Sequence, residues 1–117
     1  MTNQELGVFG EQLAFQYLKD RNYEIVDRNY RFGHLEADII CQFGGKLIVV
    51  EVKTRQTAEI GEPWRAVTRA KQRQIIKVAN QYIFTNEVHL ETQFDIISIV
   101  HNNFRTDIEH IQDAFTP

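Results

Sequence analysis

The chain has 117 residues, 43% of them hydrophobic and 25% charged, with a formal net charge of −3. Length and composition are those of one globular domain spanning residues 1–117 around a single core, and a membrane-spanning helix is not expected because no apolar run approaches ~18 residues. The net acidic balance excludes a protein that coats nucleic acid by bulk charge, while leaving room for a local basic face. The start of the chain, Met1-Thr2-Asn3-Gln4-Glu5, has neither a basic nor an apolar leader segment, so a cytoplasmic protein is expected.

Residues 4–20 predict a helix capped by Thr2 or Asn3, with Leu6, Phe9, Leu13, Ala14, Tyr17 and Leu18 on one arc. Gly7 and Gly10 each cost about 1 kcal/mol in a helix relative to Ala, which points either to close backbone approach or to a frayed first turn. Glu11 falls at the border of the apolar arc, within reach of a sheet edge. Tyr23 to Asp27 reads as a first strand, and Arg28-Asn29-Tyr30-Arg31-Phe32-Gly33 as a basic, aromatic turn.

Two β-branched-rich runs follow, Ile39-Ile40-Cys41 and Leu47-Ile48-Val49-Val50, separated by Gly44-Gly45. They predict a hairpin. Cys41 is the only cysteine, so it has no intrachain disulfide partner and reads as a buried, inert thiol. Residues two apart on a strand share a face, so Glu36 pairs with Asp38 and Glu51 with Lys53. If the register brings these faces together, three carboxylates and one ammonium converge beside an apolar sheet. Carboxylates crowded in this way must take up protons or share a cation, and oxygen donors favour hard ions such as Mg²⁺ or Mn²⁺. Lys53 can then orient a water and stabilise charge developing on a phosphate. A pair of solvent-facing salt bridges at a strand end is the alternative use of the same residues.

After a polar loop, Pro63 suits the first turn of a second helix, from about Trp64 to Thr85. Between Trp64 and Asn86 there are five basic residues and no acidic one. Arg65, Arg69, Arg73 and Lys77 recur at i+4 and form a ridge, opposite an apolar face of Ile75, Val78, Ala79 and Tyr82. Lys71 falls on the apolar side, aimed toward the acidic cluster. Such segregation in an acidic protein describes either a polyanion-facing surface or a solvated helix face. Phe94 to Val100 is nearly all apolar and predicts a strand buried on both faces. A short strand around Thr106 to Ile111 closes the chain. His34, near Glu36, is either a ligand or a loop histidine, and His110 packs in the last segment. The order α-β-β-β-α-β-β predicts an α/β sandwich with a mixed sheet.

Asp38 followed by Glu51-x-Lys53, with Glu11 on the preceding helix, resembles the PD-(D/E)XK nuclease superfamily in its Holliday-junction-resolvase-like form. More narrowly, the whole chain resembles the YraN family of predicted endonucleases. The stretches that carry this likeness are Gly7-x-x-Gly10-Glu11, Arg28-Asn29-Tyr30-Arg31, Glu36-Ala37-Asp38, Val49-Val50-Glu51-Val52-Lys53, Lys71-Gln72-Arg73, Phe94-Asp95 and His110-Ile111. The resemblance implies a restriction-endonuclease-like α-β-β-β-α-β core, its mixed central sheet flanked by helices. It implies Mg²⁺ (or Mn²⁺) held by Asp38 and Glu51 with Glu36 in support, a water positioned by Lys53, and an acidic cluster completed by Glu11. DNA would be the partner, met by Arg28, Arg31 and Arg55 as well as by Arg65, Arg69, Lys71 and Arg73 of the second helix. Phosphodiester hydrolysis would leave 5′-phosphate ends, and a homodimer would match a two-fold branched substrate. The first acidic motif departs from the family's usual Gly-Glu-Ile-Asp, because Leu35-Glu36-Ala37-Asp38 stands here with its glycine at Gly33. A non-catalytic nucleic-acid-binding module of the same fold is the alternative that this departure and the net acidic charge keep open.

Overall fold

Gly44 and Gly45 both hold positive φ (59° and 76°), the conformation that a two-residue hairpin turn of the primed type demands. They join two strands of a computed structural model that describes residues 1–57 and 67–117. Its elements run α1 (Asn3–Asp20), β1 (Glu24–Phe32), β2 (Leu35–Phe43), β3 (Lys46–Arg55), α2 (Arg69–Thr85), β4 (Glu91–His101) and β5 (Thr106–Phe115). The five strands lie in chain order in one sheet. β3 and β4 are parallel and the other neighbours antiparallel, so the sheet is mixed, as expected.

Each face of the sheet is covered by one helix. Ala14 and Leu18 of α1 pack on Ile39, Cys41, Ile48, Val50, Ile97 and Ile99. On the other face Ile75, Val78, Ala79 and Tyr82 of α2 meet Ile40, Leu47, Val49, Phe94 and Ile96. Both sides of β3 and β4 are therefore sealed, which is why these strands read as continuous apolar runs. Cys41 is fully buried, and burial pushes its thiol up to about 12.

α1 starts in a capping box, in which Glu5 N–H donates to Thr2 Oγ1 and Thr2 N–H to Glu5 Oε1. The two helical glycines differ in kind. A Cβ on Gly10 would collide with the Thr54 side chain of β3, whereas one on Gly7 would meet nothing within 4 Å. Gly10 thus lets α1 lie against β3, which sets Glu11 over the sheet.

Three local expectations change. Arg28 to Phe32 is strand rather than turn, because Arg31 pairs with Glu36, Tyr30 with Ala37 and Arg28 with Ile39, and Tyr30 packs its ring against the α2-side core. α2 begins at Arg69, capped by Thr68, whose Oγ1 accepts the Lys71 N–H at 3.1 Å; an N-cap hydroxyl in extended backbone marks the start of the helix there. Pro63, Trp64 and Arg65 lie outside the described residues. β5 continues past Ile111 to Phe115, because Phe115 pairs with and stacks on Phe94.

β4 and β5 are also joined by a buried polar pair. Asp95, with no exposed surface, accepts through Oδ1 from Gln93 Nε2 and the Asp113 N–H, both at 3.0 Å, and through Oδ2 from His110 Nε2 at 2.7 Å. Tyr17 and Tyr23 pack their rings on His110. The bond crosses the register shift between Phe94 and Ile96, where Asp113 takes φ 50°, so a carboxylate satisfies the N–H that the irregular ladder leaves over.

Candidate functional site

β2 and β3 pair from Phe43↔Lys46 to Ile39↔Val50. Beyond that point β2 continues along β1 as far as Leu35, and β3 along β4 as far as Arg55. Asp38 and Glu51 are the next residue on each strand past the last paired couple, at the crotch of this fork. With the ladder ended, the Val52 N–H donates to Asp38 Oδ2 at 2.8 Å, so a side chain replaces the missing strand partner. The pleat also breaks here. Ala37 packs with the α2-side core and Ile39 with the α1-side core, although residues two apart on a regular strand share a face.

A cavity of about 490 Å³ opens at the fork, lined by Glu11, Asp38, Glu51, Lys53, Thr68 and Lys71 with Val52 and Val67. Oxygen atoms of Glu11, Glu36 and Asp38 lie within 4.8 Å of one another. Glu51 stands outside this trio and adjoins it through Asp38. Burial first, then hydrogen bonding to Glu51 and its charge, push Asp38 up to about 9, against the opposing pull of the Val52 N–H and Lys71. Burial, followed by Asp38 and Glu36, raises Glu11 to about 7, with Arg28 opposing. Near neutral pH Asp38 therefore holds its proton unless a cation enters, while Glu11 stands close to half-ionised.

Glu51 is 6% exposed, and its Oε2 is buried without a hydrogen-bond partner. Lys71 Nζ lies 3.8 Å from that oxygen, close enough to pair its charge but too far to hydrogen-bond. A buried carboxylate oxygen left in this way, beside three more carboxylates, is a donor set that fits a hard divalent cation. Glu11, Asp38, Glu51 and Lys53 thus come together from three elements, and Lys71 points inward as its helical position suggested. α2 also directs its N-terminus at the cavity through Thr68, with no acidic residue in its first turn; this is the end of a helix that favours anions.

The other basic positions are distributed differently. Arg69, Arg73 and Lys77 are exposed along α2, and Arg69 donates to Gln72 Oε1 at 3.1 Å. Arg31 pairs with Glu36 at 3.3 Å. Arg28 lies over the Phe15 ring at 4.1 Å and donates to Gln12 Oε1, which spends part of its surface on α1. Arg55 ends β3, opposite Val100 of β4. His34 sits exposed beside the turn glycine Gly33 and is not part of the acidic trio.

Two residues escape a reading by spacing. Thr68 lines the cavity while capping α2. Asn29, at φ 52° inside β1, brings its amide within 2.7 Å of Glu36 Oε1 and 2.8 Å of Glu11 Oε1; with nitrogen turned toward them it donates to both. The only signal in the sequence was the residue type, since Asn is among the few that accept the left-handed region.

The family model described as Uncharacterised protein family UPF0102 matches residues 10–99, which span every acidic site residue. A UPF0102 protein of Christiangramia forsetii is 48% identical over 111 residues, covering 95% of this chain and 93% of its own. One from Chlorobium chlorochromatii is 44% identical over 117 residues (95% and 91% covered), and one from Phocaeicola vulgatus 42% over 113 (97% and 93%). With its fork, both helices and nearly its whole length inside these matches, the chain belongs to the uncharacterised protein family UPF0102.

Proposed function

We propose that this protein is a metal-dependent endonuclease that hydrolyses DNA phosphodiesters, with branched DNA as the candidate substrate. The observation that carries the reading is the buried, unbonded Glu51 Oε2 beside Asp38, with Lys53 two residues on and lining the same cavity. Asp38 and Glu51 would hold Mg²⁺ or Mn²⁺, with Glu36 and Glu11 completing the acidic wall. A bound divalent cation supplies neutralising charge and acidifies a coordinated water. The protein's own groups do the rest. Lys53 orients the attacking water and meets charge developing on the phosphate. Lys71, 3.8 Å from Glu51 Oε2, places a positive charge beside that carboxylate at the cavity wall. Glu11, whose proton affinity lies near neutral pH, can take the proton that the water gives up. The N-terminus of α2 and the ridge of Arg69, Arg73 and Lys77 would receive the phosphate backbone, and two copies would serve a two-fold junction.

Labelled linear, flapped and four-way DNA incubated with Mg²⁺ or Mn²⁺ tests this reading. Cleavage by the wild type, lost in Asp38→Ala and in Lys53→Ala, is the expected result. Asp38→Ala protein that cuts as fast as wild type would refute it. The second reading, a binding module without turnover, is favoured by one observation: the acids already have internal partners in Asn29, Arg31 and the Val52 N–H. It predicts retention of four-way DNA without cutting. In either reading Arg69→Glu/Arg73→Glu weakens binding and flattens the slope of log K against log salt by about 2, at ~0.9 per phosphate contact.

A further inference from the structure

We infer that the β4–β5 hairpin is a base-stacking element, with Phe104 as its ring, that selects nucleic acid carrying unpaired bases. The inference rests on the nuclease-fold reading above and extends it to substrate class. Phe104 is 94% exposed, more than any other large hydrophobic residue of the chain described. Its neighbours along the tip are polar, Asn102, Asn103 and Arg105, with Arg105 paired to Asp107 at 3.0 Å. A protein-docking patch needs a contiguous apolar area at its centre, whereas one ring among hydrogen-bonding side chains suits stacking on a base.

The backbone that carries the ring is held by hydrogen bonds across the tip. Asn102 Oδ1 accepts the N–H groups of Phe104 (2.8 Å) and Arg105 (3.1 Å), and the Asn102 N–H donates to the Arg105 carbonyl at 3.0 Å. Asn102 Nδ2 donates to the Gln56 carbonyl at 2.7 Å, which ties the tip to the chain leaving β3. His101 is fixed by Thr106 Oγ1 and lies against Phe9 of α1, ring centres 4.2 Å apart. A cavity of about 200 Å³ between Leu6, Gln56, His101 and Asn103 adjoins the tip.

The tip stands in fixed register with the acidic site. Lys53 is paired with Ser98 in the parallel ladder, so His101 lies three residues further along the same strand direction. At about 3.3 Å per residue that is ~10 Å, the length of about three nucleotide steps. A strand engaged at Lys53 would therefore have a base within a few steps of Phe104. Stacking does not depend on net charge, so it suits a protein with a formal charge of −3 better than phosphate contacts alone.

The test is anisotropy with labelled DNA in metal-free buffer, comparing a fully paired duplex with a flap of the same length for wild type, Phe104→Ala and Phe104→Trp. The expected result is a loss of about 5- to 150-fold for the flap in Phe104→Ala, an unchanged duplex affinity, and full retention in Phe104→Trp. A 2-aminopurine in the flap should be quenched by wild type and not by Phe104→Ala. Equal flap affinity for wild type and Phe104→Ala, or equal losses on flap and duplex, overturns the inference while leaving the nuclease reading standing. Absence of any DNA binding by the wild type overturns the inference, and absence of binding with Ca²⁺ present as well overturns the nuclease reading with it. A fall in self-association of Phe104→Ala in light scattering, with DNA binding unchanged, assigns the ring to a second copy of the chain and also overturns it.

Discussion

Asp38 reaches across the fork to accept the backbone N–H of Val52 at 2.8 Å, so the same carboxylate that would hold a metal also closes the gap where β2 leaves β3. Structure and chemistry compete for one side chain. The half of Asp38 bound to Val52 anchors β3, and its burial against Glu51 makes the charged form costly.

That cost gives stability a definite pH dependence. Asp38 and Glu11 hold their protons more tightly in the folded chain, up to about 9 and about 7, than in the unfolded one. The folded state is thus favoured at acid pH, and cation-free protein loses stability as pH rises from about 4 toward 9. Asp38→Asn keeps an acceptor for Val52 and removes the larger penalty. Its melting temperature at pH 7.5 in chelator should exceed the wild type's by several degrees, with the gap closing at pH 4.5. A variant less stable than wild type at pH 7.5 would contradict this account.

A divalent cation should offset the same penalty. Bound only by the folded chain, Mn²⁺ at about 100 times its dissociation constant adds ~2.7 kcal/mol of stability. Scanning fluorimetry should show the wild type gaining several degrees, and Glu51→Gln and Asp38→Asn gaining little. An equal gain in all three proteins would place the ion elsewhere.

The two glycines of α1 should respond in opposite directions. Gly7→Ala meets no neighbour and removes the helix penalty, gaining about 0.5–1 kcal/mol. Gly10→Ala drives α1 off Thr54, costing about 1–3 kcal/mol and displacing Glu11 from Asp38. Urea unfolding of both variants measures the pair, and loss of the opposite signs would show that α1 does not need this close approach.

Asp95→Ala should destabilise more than any surface change. It leaves His110 and the Asp113 N–H without their buried acceptor, a loss of about 1–3 kcal/mol for each donor left unsatisfied. Hydrogen exchange should locate the loosening in β5, and uniform exchange across the sheet would argue against a strand clamp.

Periodicity and turn chemistry were enough to determine the hairpin at Gly44-Gly45, the apolar faces of both helices, the double-sided burial of β4 and the basic ridge of α2. Those features depend on neighbours within a few residues. Lys71 could also be aimed inward by counting along a helix, whereas the acidic motif, expected at strand ends, lies within β2 and β3 where their mutual pairing stops. Only the tertiary structure decided that β2 and β3 part at Asp38 and Glu51, that Asn29 bridges Glu11 and Glu36, and that Asp95 pairs with His110. It alone also decided that Arg28 to Phe32 is strand. Each of these depends on which distant backbone group is left without a partner once the sheet assembles, and no local pattern encodes that accounting.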